Sequence, residues 1–292
     1  MQKIIREVDQ KRGIVQVTIA DERWYVKETQ DPATDLPIFK YVPSVTWIAG
    51  HYPKGIGFYK WLAEKGWDES QAIKSAAGDK GSKVHDAISA ILRGEEVRID
   101  SKFLNRSTGE LEELTLEEVT CIKSFVDWRN EVKPESIAWD LTVFSEKYGY
   151  AGTIDYICKI DGEVYIIDFK TSAQVWSEYE LQVSAYREAM FEIENWPGKG
   201  GVPADINLAI LQVGYQRNKA GYKWNEVEGK FPLFLAARQI WSAECEGVEP
   251  KKRDYPIVLS PAVTVDEALA KPAEDQPSLP VEEPKKKAAK TK

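Results

Sequence analysis

A chain of 292 residues with 43% hydrophobic and 11% aromatic side chains is globular in composition and long enough to bury a substantial core. Its formal net charge of −8 excludes an extended protein that coats nucleic acid, because such affinity comes mostly from lysines and arginines displacing counterions. Three scattered cysteines, Cys121, Cys158 and Cys245, exclude a disulfide framework, a zinc site and a four-cysteine iron–sulfur cluster. They fit a reducing cytoplasm, and no long apolar run or signal-peptide core suggests a membrane.

Residues 1–40 read as short strands, with alternation over 14–19, a turn at 21–23 and a continuation through Trp24, Tyr25 and Val26. This predicts a small N-terminal β appendage. Residues 44–66 read as an aromatic helical region containing Trp47, Phe58, Tyr59 and Trp61, followed by a helix through His85 that ends near Gly94. Residues 95–113 are charged and read as irregular. Val119, Ile122, Phe125, Val126 and Arg129 keep helical spacing over 115–132, and Pro134 closes that helix. Strands are predicted over 137–147, 152–160 and 163–170, a helix over 178–194, strands over 206–215 and 221–227, and a last helix over 231–245. The fold class is α/β with a mixed central sheet.

The most informative stretch is 152–186. Thr153 to Ile160 and Glu163 to Phe169 are apolar, β-branched runs separated by Asp161-Gly162, a strong two-residue hairpin signal. Asp155 near the start of the first run and Asp168 near the end of the second are thereby folded back to one end of the sheet. Asp168 follows Tyr165-Ile166-Ile167, a run that excludes a charge unless it is paired or ligated. Lys170 lies two residues on, on the same strand face. Two converging carboxylates and a lysine suit a hard divalent cation and a developing negative charge, which is a phosphodiester-cleaving constellation.

Gly152-x-x-Asp155, Asp168-x-Lys170 and Gln182-x-x-x-Tyr186 together resemble the PD-(D/E)xK nuclease superfamily, and within it the RecB-like exonuclease branch, which includes phage exonucleases and the mitochondrial genome maintenance exonuclease. Gly81-Ser82-Lys83-Val84-His85 resembles the histidine motif of that branch, and Pro43-Ser44-Val45-Thr46 a segment near the start of such proteins. Each motif alone is weak, but their order and spacing are specific. The resemblance implies a restriction-endonuclease-like core over 41–249. It implies a metal-dependent DNA exonuclease acting on single-stranded or end-containing DNA, in phage replication or recombination. A structure-specific endonuclease and a catalytically inactive DNA-binding module are the rivals, and intact Asp155, Asp168 and Lys170 argue against the latter.

On that resemblance Asp155, Asp168 and the Phe169 carbonyl hold Mg²⁺ or Mn²⁺, His85 is a further ligand that favours Mn²⁺, and Lys170 orients the attacking water or stabilises the phosphate. Glu146 either completes the metal shell or is a salt-bridged edge residue. Gln182 and Tyr186 share a helix face and hold the DNA strand, with core packing the competing account for Tyr186. Thr171, Ser172, Ser82 and Lys83 are candidate phosphate donors, and of aromatics such as Trp47, Tyr52, Phe58 and Trp61, most of them expected in the core, one or two could stack on unpaired bases. Residues 250–292 are rich in Pro, Ala, Glu and Lys and end in a basic run. They are expected to be a disordered tail, either merely solvated or docking a recombination or single-strand-binding protein.

Overall fold

The computed structural model describes residues 3–9, 12–19, 22–35, 37–193, 196–198, 201–245 and 247. The tail of 250–292, with the disorder expected of it, lies outside the described residues.

Four strands open the chain, β1 (Lys3–Asp9), β2 (Ile14–Ile19), β3 (Glu22–Gln30) and β4 (Pro37–Pro43), paired antiparallel in sequence order. Ser44 then caps α1 (Val45–Gly50): its hydroxyl accepts the Trp47 N–H at 3.1 Å, a donor with no partner inside the helix. The aromatic stretch is two helices rather than one, with Pro53 in the break before α2 (Ile56–Lys65). The long helix α3 (Trp67–Leu92) follows. Residues 95–113 are not wholly irregular, since β5 (Lys102–Leu104) and β6 (Leu111–Glu113) pair as a hairpin. Three-residue strands are too short to show a period in sequence.

Helix α4 (Leu116–Val132) starts on a capping box between Thr115 and Glu118 and stops at Lys133, whose φ of 52° is left-handed, just before Pro134. The central sheet comprises β7 (Glu135–Ser145), β8 (Tyr150–Ile160), β9 (Glu163–Lys170), β10 (Asn207–Val213) and β11 (Tyr222–Val227), in the order β11-β10-β9-β8-β7. Only β9 and β10 run parallel, and α5 (Ser177–Met190) makes the crossover between them, so the sheet is mixed. The β8–β9 turn has both central residues at positive φ, 50° for Asp161 and 93° for Gly162, and sets Ile160 opposite Glu163. Helix α5 ends four residues before the predicted 194. There the Glu192 carboxylate accepts from the Ser145 hydroxyl at 2.6 Å and the Lys147 N–H at 3.1 Å, drawing the chain off the helix axis.

The sheet is covered on both faces. Val84, Ala87 and Ile88 of α3 with Ile122, Phe125 and Trp128 of α4 pack one face, against Tyr156, Ile167, Phe169 and Leu211. Helices α1, α5 and α6 (Phe231–Cys245) pack the other, through Ile48, Leu181, Ala185, Phe234 and Trp241, against Ile154, Ile166 and Leu208. Adjacent Ile166 and Ile167 thus enter opposite cores, as the two-residue period of a strand requires. The N-terminal sheet is separate but is sealed onto this body. Trp24 of β3 is fully buried, with ring centroids 5.0 Å from Trp47 and 5.8 Å from Trp241, and Ser44 bridges to Ala151 of β8.

Candidate active site

Strands β8 and β9 pair from Ile160 and Glu163 up to Tyr156 and Ile167 and then part. Beyond that point β8 follows β7 to Tyr150, while β9 follows β10 to Lys170. Asp155 and Asp168 are the next residues on each strand, so the two carboxylates stand where the sheet forks. Asp155 occupies the middle of β8 rather than its start, because pairing with β7 extends β8 back to Tyr150. In place of the lost ladder, the Phe169 N–H donates to Asp155 Oδ2 at 2.8 Å.

The two carboxylates differ sharply in surroundings. Asp155 Oδ1 lies 3.2 Å from His85 Nδ1 on α3. Burial works to raise the Asp155 pKa, but His85, Lys170 and the Phe169 N–H outweigh it and hold the group below its ordinary range. Asp168 is 1% exposed, and its Oδ1 receives no hydrogen bond. Its Oδ2 is ion-paired with the Lys170 ammonium. Burial first, and the neighbouring Asp155 charge next, push the Asp168 pKa up to about 6 against the pull of Lys170. His85 and Lys170 are both raised: the carboxylates, Asp155 first for His85 and Asp168 first for Lys170, overcome the burial that would lower them.

The remaining motif residues brace this centre. Lys170 Nζ lies 3.4 Å from Gln182 Oε1, and Gln182 Nε2 donates to the Tyr186 hydroxyl at 2.7 Å. The Tyr186 ring, 3% exposed, covers Gly152 so closely that a Cβ there would sit 2.4 Å from Cε1. Glycine in Gly152-x-x-Asp155 is therefore required by the tyrosine of the other motif. Thr171 is half-buried with its Oγ1 3.8 Å from the position of a Cβ on Gly81, which joins the start of the histidine motif to the end of β9. Ser172 donates to the Gln174 carbonyl at 2.8 Å, and Ser82 is half-buried on α3.

Two expected residues are not brought to the centre. Glu146, in the β7–β8 turn, is 48% exposed and ion-paired with Lys27 at 2.8 Å and with Lys40. It has the salt-bridged role, since the turn lies five residues of strand away from Asp155. Lys83 is buried and held by Glu118 at 2.9 Å and Glu112 at 3.3 Å, so its charge ties α3 to α4 and β6 rather than facing a phosphate. The preformed shell of two aspartates and a histidine is likewise not found: among the described residues no group of three His, Cys, Asp or Glu is arranged to hold an ion. His85 is instead engaged with Asp155. The donors still suit a hard divalent cation, because Oδ1 of buried Asp168 is an acceptor with an unmet demand beside a second carboxylate.

Sequence reasoning passed over three residues here. The Tyr179 ring lies 4.6 Å from Lys170 Nζ. Gln212, buried, donates to the Ser172 carbonyl at 2.7 Å, and an amide inside the apolar run 208–213 was its signal. Asp140 falls between the pairs Trp139–Tyr156 and Leu141–Ile154, opposite Asp155, with a φ of 49° that no sequence feature announces. It accepts the Ser89 hydroxyl of α3 at 3.0 Å, one turn beyond His85.

No curated protein matches the chain. Residues 58–261 match the sequence model of the PD-(D/E)XK nuclease superfamily. That span starts after the Pro43–Thr46 segment and contains every site motif from Gly81 to Tyr186. It covers more than two thirds of the 292 residues and includes the forked strands with their two aspartates and lysine, and the chain belongs to the PD-(D/E)XK nuclease superfamily.

Proposed function

We propose that the protein is a metal-dependent deoxyribonuclease of the RecB-like exonuclease branch, hydrolysing phosphodiester bonds of single-stranded or end-containing DNA in phage replication or recombination. One observation carries this reading: Asp168, buried with Oδ1 unpartnered and Oδ2 against Lys170, beside Asp155 where β8 and β9 part. Asp155, Asp168 and the Phe169 carbonyl would hold Mg²⁺ or Mn²⁺, with His85 as a further donor in exchange for its bond to Asp155. Such a cation, when bound, polarises the scissile phosphate and acidifies a water.

The chain's own residues supply the rest. Lys170, kept protonated by the carboxylates, places a fixed positive charge where negative charge accumulates on the phosphate. Gln182, tied to Tyr186, restrains that ammonium, which also lies over the Tyr179 ring. Thr171 and Ser172 follow directly on β9 and are the proposed phosphate donors. The branch assignment and the exonucleolytic mode rest on the motifs Gly81 to His85 and Gln182 to Tyr186. The cytoplasmic setting rests on the cysteines, of which Cys121 and Cys158 are buried free thiols. Among the described residues no helix is long and apolar enough to cross a membrane.

The test is degradation of end-labelled linear and of circular single-stranded DNA with Mg²⁺, Mn²⁺ or chelator. Linear strands are consumed only with cation, circles persist, and Asp168→Ala or Lys170→Ala lowers turnover by roughly 10²–10³. Cleavage undiminished by chelator, or wild-type turnover in Asp168→Ala, sinks the assignment; cleaved circles support the endonuclease alternative.

A further inference from the structure

Helix α2 has no buried residue. Ten residues do not hold a helix in water by propensity alone, and the apolar side chains of this one are spread over its surface: Ile56, Phe58 and Tyr59 are exposed, as is Trp67 at the start of α3. The buried part of α3 lies chiefly within Lys83–Leu92, so α2 and the first turns of α3 extend from the body beside the active centre. Two contacts fix where this arm springs from. Gly81 abuts Thr171, and Lys54 ion-pairs with Glu178 in the first turn of α5, next to Tyr179 and Lys170.

Cations are interleaved with these rings. Lys54 Nζ lies 5.9 Å from the Phe58 ring centroid, and Lys60 and Lys74 lie on α2 and α3. Lys54 and Lys74 are close enough that, after burial, the second ammonium helps push the first one's pKa down. Lys54 has its anion in Glu178, whereas Lys60 and Lys74 are exposed. Trp176 is 46% exposed at the N-cap of α5, four residues beyond Ser172.

We propose that this arm is a landing surface for unpaired nucleotides: the rings of Phe58, Tyr59 and Trp67 stack on bases of single-stranded DNA, Lys60 and Lys74 meet its phosphates, and Trp176 receives a base next to Lys170. Exposed aromatic rings with cations among them are what a single strand uses, since each base offers a π-face and each phosphate a charge. A duplex conceals those faces. The inference rests on the nuclease reading for its substrate class and selects single strands among the end-containing substrates proposed above.

The experiment uses the full chain carrying Asp168→Asn, with Mg²⁺, so that the strand is not consumed. Binding of a thymidine 20-mer is compared with binding of an equally long strand of abasic residues, which keeps the phosphates and lacks the bases. The thymidine strand should bind more tightly, and Phe58→Ala with Tyr59→Ala should weaken it by about fivefold or more while removing the preference over the abasic strand. A 2-aminopurine in the strand should be quenched on binding, and less so in the double variant. A preference that survives the substitutions overturns the proposal. So does a double variant that binds DNA as before but sediments as a smaller species, because the arm would then be a self-association face. If the native chain never cleaves DNA with either cation yet the base preference behaves as described, the nuclease reading fails and the arm stands as a single-strand binding surface.

Discussion

At the scale of single residues, Asp168 and Asp155 differ in the direction of their titration, and this has a consequence for pH. The Asp168 carboxyl, raised to about 6, and His85, raised above its usual value, both bind protons more tightly in the folded chain than in the unfolded one. Their contributions to stability are present in full below the unfolded pKa values and are lost as pH rises through the folded ones. Asp155 is lowered, so its contribution is lost only on acidification below the ordinary carboxylate range. The metal-free protein is therefore expected to melt several degrees lower at pH 8 than at pH 5.5, and Mg²⁺ or Mn²⁺ to raise the melting temperature more at pH 8, where Asp168 is ionised. Thermal melts at both pH values with and without cation check this, and Asp168→Asn should flatten the metal-free slope. Gly152 is the second residue-scale test. Alanine there meets the Tyr186 ring at 2.4 Å, so Gly152→Ala should destabilise by about 1–3 kcal/mol and displace the Gln182 brace on Lys170. Equilibrium unfolding reads the first effect and turnover the second; an unchanged protein would mean that the ring moves away freely.

At the scale of elements, the four-stranded N-terminal sheet does more than decorate the chain. Trp24 fills the space between Trp47 of α1 and Trp241 of α6, and the Tyr25 hydroxyl lies 3.1 Å from Thr153 Oγ1, two residues before Asp155. Trp24→Ala should cost about 3–5 kcal/mol, the range for emptying a buried aromatic site. Denaturant unfolding followed by both tryptophan fluorescence and far-ultraviolet dichroism should then show one transition at lower denaturant. Two separate transitions would mean that the sheet unfolds independently of the body. The elements also show where sequence patterns stop being sufficient. The helix of 115–132 was legible to within a residue because Thr115, Glu118 and Pro134 bound it locally. The stretch 95–113 was not, because β5 and β6 are held by contacts to other elements, such as Ser107 with Ser75 and Asp79 of α3.

At the scale of the whole molecule, residues 1–249 form one compact unit, while the superfamily match continues to residue 261, past the boundary at 249 read from composition. A chain truncated after 261 is expected to keep its turnover on short oligonucleotides, because every proposed site residue lies before 187. Its binding to long DNA at low salt should weaken, because the basic run of 285–292 is removed. A folded but inactive truncation would place part of the nuclease unit in the tail.

The motif resemblance grouped Gln182 and Tyr186 with Asp155, Asp168 and Lys170, and the residues alone specified the α/β class, the hairpin at Asp161-Gly162 and the convergence of Asp155, Asp168 and Lys170 at one strand end. Those features rest on local chemistry: a turn that needs two positive φ values, a charge ending an apolar run, and side chains at strand or helix spacing. What each side chain touches was decided only by the tertiary structure. Lys83 and Glu146 carry the charges their roles required, yet each found its partner on an element distant in sequence, Glu118 for one and Lys27 with Lys40 for the other. His85 met Asp155 across seventy positions, and Gly152 proved to be the floor beneath Tyr186. Burial and pairing depend on which surfaces close over a residue, and no local pattern encodes that.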